Sequence, residues 1–330
     1  MPQLATKRTC TGCMACIDSC PTNALDYCID GGGFYSITFE EKLCEECQKC
    51  ERSCPVLSTF PEADFQNFMP YTVWSKNNNI RMQSASGGVF AECASYIIKN
   101  GGVVIGAAIC GKEVYHIAIT KIGELRKLQK SKYMQSNTKG IYKTTKQFLM
   151  QDKTVLFSGT PCQIAGLKAF VKNISYTGKL FTTQVVCHGV PSNRIIELFE
   201  KIKQNEIKKI TAFLSKNDGW KNSFVFVYTD ENNREHNLSL NQNLFAQMYG
   251  KDLLLQQSCY DCKFCSPMGH ADLSLADYWG NISHPYEHNK GLSFVTAHTA
   301  EGEYILRKSD LIIHQTSWQE ALPANPRIVN

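Results

Sequence analysis

Apolar residues at positions 89, 90, 93, 94, 97 and 98 recur at three- and four-residue steps, the period of one helix face. They predict an amphipathic helix that opens on Ser84-Ala-Ser86-Gly87-Gly88 and ends at Asn100-Gly-Gly102. Short apolar runs at 71–74, 103–109, 114–119, 154–157 and 180–186 predict strands, and residues 140–150, 162–170 and 193–204 predict helices between or after them. Residues 208–240 alternate in a way that fits a β-meander, with turns at Asp218-Gly219 and Asp230-Glu-Asn-Asn233. A helix over 241–250 follows, and the remainder reads as strand, helix, strand. Strands 154–157 and 180–186 each run into a cysteine and then a helix, so their ends become neighbours if the strands are parallel.

The first 60 residues are organised differently. Cys10, Cys13, Cys16 and Cys20-Pro21 read C-x2-C-x2-C-x3-C-P, and Cys44, Cys47, Cys50 and Cys54-Pro55 repeat it 34 residues on. This is the spacing of a bacterial-type ferredoxin with two [4Fe–4S] clusters. The fourth cysteine of each run reaches across to the other cluster, which assigns Cys10, Cys13, Cys16 and Cys54 to one and Cys44, Cys47, Cys50 and Cys20 to the second. Zinc needs four ligands and no doubled C-x3-C-P tail. Disulfides need an oxidising compartment, and no secretory signal is visible. Between the runs, Gly31-Gly-Gly33 leads as a turn into a strand at 34–39.

Length then divides the chain. The 330 residues exceed one small domain, so residues 1–60 are expected as a two-cluster ferredoxin-like domain, 61–70 as a linker and 71–330 as a second domain. The expected class is α+β, with the second domain a mixed α/β unit. No apolar run approaches the roughly 20 residues of a membrane helix. Sixteen cysteines without an export signal point to the cytoplasm, and exposed clusters to an anaerobe. Net charge is only +5, but residues 121–146 hold eight Lys or Arg against one acid, Glu124. That stretch reads as a solvated surface, a flavin diphosphate site or a dock for an acidic ferredoxin. No nucleic-acid module is present.

Candidate chemistry in the second domain gathers at three cysteine sites. Thr160-Pro161-Cys162-Gln163 stands between a strand and a helix, where α/β folds carry ligands and a helix start favours thiolate. Cys187-His188-Gly189 ends the next strand, and Cys259-x2-Cys262-x2-Cys265 is a third cluster of thiols. The glycines at 87–88 can bring a ligand close to backbone at a helix start. Cys28, Cys93 and Cys110 lie outside these patterns and read as small buried hydrophobes. His116 reads as structural.

These second-domain motifs resemble the coenzyme F420 hydrogenase/dehydrogenase beta-subunit family of iron–sulfur flavoproteins. The resemblance rests on residues 84–88, Ser131-Lys-Tyr-Met-Gln-Ser136, Gly159-Thr-Pro-Cys-Gln163, Cys187-His-Gly-Val-Pro-Ser192, Cys259-x2-Cys262 and Ala276-Asp-Tyr-Trp-Gly280, in the family's order over about 70–300. It implies FAD contacted by Ser86, Gly87, Gly88, Lys132, Tyr133, Gln135 and Thr160, and a third [4Fe–4S] cluster on Cys162, Cys187, Cys259 and Cys262. Cys265 departs from the family's pattern, and spacing alone favours it over Cys162, so five thiols compete for four places. The resemblance also implies a longer C-terminal part than this sequence carries.

The function so implied is oxidoreduction: electrons pass between a ferredoxin or other redox protein and a small-molecule acceptor, through the clusters and FAD. The acceptor classes are coenzyme F420 or a substrate related to surface polysaccharide. His188 is the one catalytic candidate, with holding the loop as its alternative role. Two rival readings stand beside this one. One is a non-catalytic electron-relay subunit of a larger hydrogenase or dehydrogenase complex. The other is a disulfide reductase using Cys162 or Cys265.

Overall fold

The computed structural model describes residues 2–59, 64–203, 207–216, 219–220, 223–239, 242–265, 270–279 and 289–323. Asp218, Leu240, Gly280 and the expected boundary residues 60–63 and 324–330 lie outside them.

The N-terminal unit is built twice over from one backbone plan. Gly12 and Met14 have φ of +66° and +60°, and Glu46 and Gln48, 34 residues on, have +51° and +57°. Each pair of left-handed residues curls the chain so that successive N–H groups face inward, a shape that cradles anions. Short helices α1 (Ala15–Ser19) and α2 (Lys49–Arg52) leave these curls. Between them, β1 (Leu25–Ile29) and β2 (Tyr35–Phe39) form an antiparallel hairpin. Cys28 is exposed on that hairpin, not buried, because only Leu25 of its strand turns fully inward.

The larger unit is one nine-stranded mixed sheet with helices on both faces. Its strands are β3 (Pro70–Ser75), β4 (Val103–Cys110), β5 (Glu113–Ile119), β6 (Ser136–Asn137), β7 (Val155–Gly159), β8 (Leu180–Val185), then β12 (Leu273–Asp277), β13 (Ser293–Ala297) and β14 (Leu311–Gln315), in the order β14-β3-β13-β12-β8-β7-β4-β5-β6. β4, β7, β8 and β12 run parallel, so the expected pairing of the two cysteine-ending strands holds. After β3 and the short helix α3 (Asn78–Met82) comes α4 (Val89–Lys99), which covers one face together with the helix Ala300–Lys308. α4 buries Val89, Cys93, Ala94 and Ile97, roughly 1.5–3 kcal/mol for each large aliphatic chain. The other face carries α5 (Ile141–Met150) and α6 (Pro161–Val171), packed on Val103, Ile105, Val155 and Phe157. Cys93 lies in the core as expected, whereas Cys110 is exposed at the end of β4, paired with Glu113 of β5 across the Gly111 turn.

The predicted meander is a separate antiparallel sheet of β9 (Ile207–Leu214), β10 (Phe224–Asp230) and β11 (Glu235–Leu238). It packs through Ile210, Phe213 and Phe226 on α7 (Arg194–Lys203) and α8 (Leu244–Gly250). The two units interlock: Cys13 and Ala15 belong to the same apolar cluster as Ile141, Ile164 and Leu167. Asp18 reaches across as well. Its carboxylate accepts the N–H groups of Gly140 at 2.7 Å and Tyr142 at 3.0 Å and so caps α5, which has no side-chain cap of its own.

Candidate iron–sulfur and flavin site

Three groups of thiols emerge from this fold. Cys20, Cys44, Cys47 and Cys50 line one cavity of about 210 Å³. Ala24 N–H donates to the Cys20 sulfur at 3.2 Å and Glu46 N–H to the Cys44 sulfur at 3.4 Å. The second group is Cys10, Cys13, Cys16 and Cys54. Burial raises the Cys10 thiol, and the neighbouring Cys54 and Cys162 raise it further. Cys16 is raised by burial and then by Cys10, Cys54 and Cys50. Thiols gathered this way resist ionising together, and a cationic iron–sulfur centre supplies the missing counter-charge. These are the two sets of donors that would hold the clusters, and Cys16 also lies in the field of Cys50 of the other set.

The third group forms at the C-terminal edge of the parallel strands, where open α/β sheets put their ligands. Cys162 stands at the first turn of α6, behind β7. Thr160 caps that helix in a capping box with Gln163, and its hydroxyl lies 3.2 Å from the Cys162 sulfur. Cys187 follows β8. Its loop bridges to the segment before Cys259 through Pro191 and Leu255, and Val190 N–H points at the Cys259 sulfur at 3.5 Å. Burial raises Cys187, followed by Cys162, Cys259 and Cys265; burial raises Cys259 to about 11, with Cys162 and Cys265 adding to it. Cys262 is raised first by its hydrogen bond with Cys265, then by burial and Cys162. Cys265 also donates to the Cys262 carbonyl at 3.2 Å. All five thiols thus share one neighbourhood. His188 does not point at them through a free ring: its Nε2 lies 3.2 Å from the Tyr249 carbonyl and 2.6 Å from Asp252 Oδ1.

The residues expected at a flavin separate into two sets. Ser86, Gly88, Lys132, Tyr133 and Thr160 stand along this edge. Ser86 Oγ donates to the Leu292 carbonyl. Gly88 has φ +92° and precedes α4, whose N-terminus has no side-chain cap. Lys132 is half-buried, desolvation lowers it to about 7, and its ammonium donates to the carbonyls of Gln129 at 2.7 Å and Lys130 at 3.1 Å. Tyr133 stacks at 5.2 Å on Phe224. Gly87 and Gln135 are occupied elsewhere. A Cβ on Gly87 would lie 2.3 Å from the Val73 carbonyl oxygen, so strand packing is what requires this glycine. The Gln135 amide donates to the Thr11 carbonyl and to Gln256 Oε1, both at 3.1 Å, which puts it on the Cys10 loop.

Sequence reasoning missed Lys216 and Asp277 here. Lys216 donates to the carbonyls of Arg81 at 2.9 Å, Lys290 at 2.8 Å and Ser86 at 2.5 Å. Burial lowers it to about 7, while three carbonyl acceptors use all three N–H groups of the ammonium and favour the charged form. Burial raises Asp277 to about 6, against the pull of Ser86 and Lys216. Beside them Trp220 and Trp279 stack at 4.2 Å. Asp277 and Trp279 lie within the 276–280 motif, but nothing in the sequence ties Lys216 to it.

Residues 152–314 match the family described as the C terminus of the coenzyme F420 hydrogenase/dehydrogenase beta subunit, and residues 9–57 match the 4Fe-4S dicluster domain. The chain joins a 4Fe–4S dicluster domain to an F420 hydrogenase/dehydrogenase beta-subunit domain. No protein of curated function matches the sequence. A structure of the xenon-derivatised F420-reducing [NiFe] hydrogenase complex from Methanosarcina barkeri contains a chain of similar fold. It is 17% identical, with a TM-score of 0.52 over 81% of this chain and 88% of that one, and at that identity it speaks for the fold alone. The beta-subunit domain makes this an oxidoreductase-family chain, and the dicluster domain makes it an iron–sulfur one. Among the described residues no helix is long and apolar enough to cross a membrane.

Proposed function

We propose that this chain is a cytoplasmic iron–sulfur flavoprotein that carries electrons between a ferredoxin-type redox protein and a small-molecule acceptor. The observation that carries the reading is the meeting of five thiols at the C-terminal sheet edge, next to the Cys10 group. Cys162, Cys187, Cys259 and Cys262 would hold a third [4Fe–4S] cluster, with Cys265 as the alternative fourth ligand. FAD, when bound, would exchange a hydride with the acceptor.

Several features of the edge suit FAD. The uncapped N-terminus of α4 favours a diphosphate, and Lys132 keeps one N–H group beyond those given to the Gln129 and Lys130 carbonyls. Ser86, Gly88, Tyr133 and Thr160 remain its expected contacts. Gly87 and Gln135 act behind the site, in packing and in holding the Cys10 loop. His188 orients the Cys187 loop through Tyr249 and Asp252, and we assign it no proton transfer. The family and the similar hydrogenase-complex structure make coenzyme F420 the first acceptor to try, ahead of a surface-polysaccharide-related substrate. Because that structure is of a complex, a relay subunit active only when docked is the second reading.

The test is anaerobic: iron, sulfide and released flavin per chain, followed by reduced ferredoxin and coenzyme F420. About twelve irons, one FAD and reduction of the coenzyme by the isolated chain are expected. The same cofactors without turnover of any acceptor favour the relay subunit. About eight irons and no flavin overturn the second-domain reading.

A further inference from the structure

The two thiol groups of the dicluster domain stand differently toward the rest of the chain. The cavity of Cys20, Cys44, Cys47 and Cys50 has its remaining walls in Pro2, Thr22, Ala24, Leu25, Phe39 and the 45–51 segment, all within the domain itself. Cys47 is exposed. The Cys10 group is instead sunk against the beta-subunit domain. Gly166 on α6 faces it so closely that a Cβ there would lie 3.1 Å from the Cys13 sulfur and 3.3 Å from Ala15 Cβ. Three bonds from the larger domain hold the loop's carbonyls: Gln135 to Thr11 at 3.1 Å, Gln256 to Cys10 at 2.9 Å and Thr138 to Cys13 at 2.7 Å. Cys162, one turn before Gly166, neighbours Cys10 and Cys13 on one side and Cys187, Cys259 and Cys262 on the other.

We propose that the Cys44 group is the outer port of this chain and the Cys10 group its inner station, with Cys162 and Gly166 fixing the crossing to the third thiol group. The proposal rests on the reading that this third group holds a cluster. Electron transfer falls off steeply with distance, so the order of the groups is the order of the hops. Each hop moves one electron and no proton. With clusters bound, the cluster left would be oxidised by one electron and the cluster reached reduced by one, with the docked redox protein as donor or, in the reverse direction, as acceptor. Gly166 is a positioning residue: a side chain there separates α6, and Cys162 with it, from the Cys13 loop.

Electron paramagnetic resonance of the dithionite-reduced full chain tests the order without turnover. In Cys47→Ala the third group's signal should keep the splitting caused by a neighbouring spin. In Cys16→Ala it should collapse to that of an isolated centre. Loss of the splitting in Cys47→Ala with retention in Cys16→Ala overturns the order. Should Cys16→Ala fail to fold, Gly166→Val serves: the outer signal should be unchanged and the splitting between the inner and third signals weakened, and an unchanged splitting overturns the role of Gly166. An unaltered chain with about eight irons and no third resonance overturns the order together with the reading beneath it, and the iron count tells that case apart.

Discussion

At the scale of single residues, one kind of pattern can have two causes. Ser84-Ala-Ser86-Gly87-Gly88 suggests a ligand reaching bare backbone, yet Gly87 is bare because β3 and β13 leave no room for a Cβ. The obstacle is backbone, Val73 O at 2.3 Å and Ser293 N at 2.9 Å, and it cannot swing aside. Gly87→Ala should therefore destabilise the chain by about 2 kcal/mol, read in denaturant titrations. Gly101→Ala is the control: its φ is +75° but nothing lies within 4 Å, so only about 1 kcal/mol of left-handed strain is expected. His116 gives a pH dependence. Buried between Ser136 Oγ and the Ser158 carbonyl, it is lowered from 6.5 to about 4 by burial. Between those values the unfolded chain binds the proton that the folded chain refuses. Stability from this group is full above pH 6.5 and is lost as pH falls toward 4. The loss is about 1.4 kcal/mol at pH 5.5, and His116→Gln should flatten that slope. A slope unchanged in the variant rules His116 out as its source.

At the scale of elements, periodicity was a good guide wherever the partner was local or the strand central. α4 to α6, β4, β5, β7 and β8 stand within a few residues of their expected spans, and the parallel ends of β7 and β8 followed from sequence order. β12 was not legible: 273–277 is a short run behind a cysteine-rich loop, and it becomes a strand through pairing with β8 and β13. The start of α5 was legible but its cap was not, since the cap comes from Asp18, 122 residues before Gly140. That cap is a joint between domains as well as a helix end. Asp18→Ala should cost about 1–2 kcal/mol and leave the N–H groups of Gly140 and Tyr142 without their acceptor. The signature is faster proteolytic cleavage near residues 59–70 with secondary structure retained, because the lost bond ties the dicluster domain to the larger one. Equal cleavage rates in the two proteins would mean that the Cys13 and Ala15 packing and the bonds from Gln135, Thr138 and Gln256 hold the joint without Asp18.

At the scale of the whole molecule, the doubled C-x2-C-x2-C-x3-C-P run made the first eight thiols legible as ligand candidates, and their partition between two clusters stays the expectation of that spacing. The members of the third group were also named from sequence, but not which four of the five thiols bind, because Cys162, Cys187 and the 259–265 loop stand up to about 100 residues apart and only the sheet edge brings them together. Cys187 is the member to remove first. It alone follows β8, its thiol neighbours Cys162, Cys259 and Cys265, and no other described cysteine stands in its loop to replace it. Cys162 and Cys265, by contrast, are the two proposed candidates for one place, the fourth ligand. Cys187→Ala should lower iron by about four atoms per chain and leave about eight, since the dicluster domain keeps all its own ligands. Cys265→Ala should leave about twelve. The contrast matters because the two substitutions remove the same chemical group from the same neighbourhood. If both variants keep about twelve irons, the five thiols are not a cluster site at all, and the electron path stops at the Cys10 group. If both fall to about eight, Cys265 is a ligand and Cys162 is left as a free thiol between two metal centres, which turns the disulfide-reductase reading into the one to pursue.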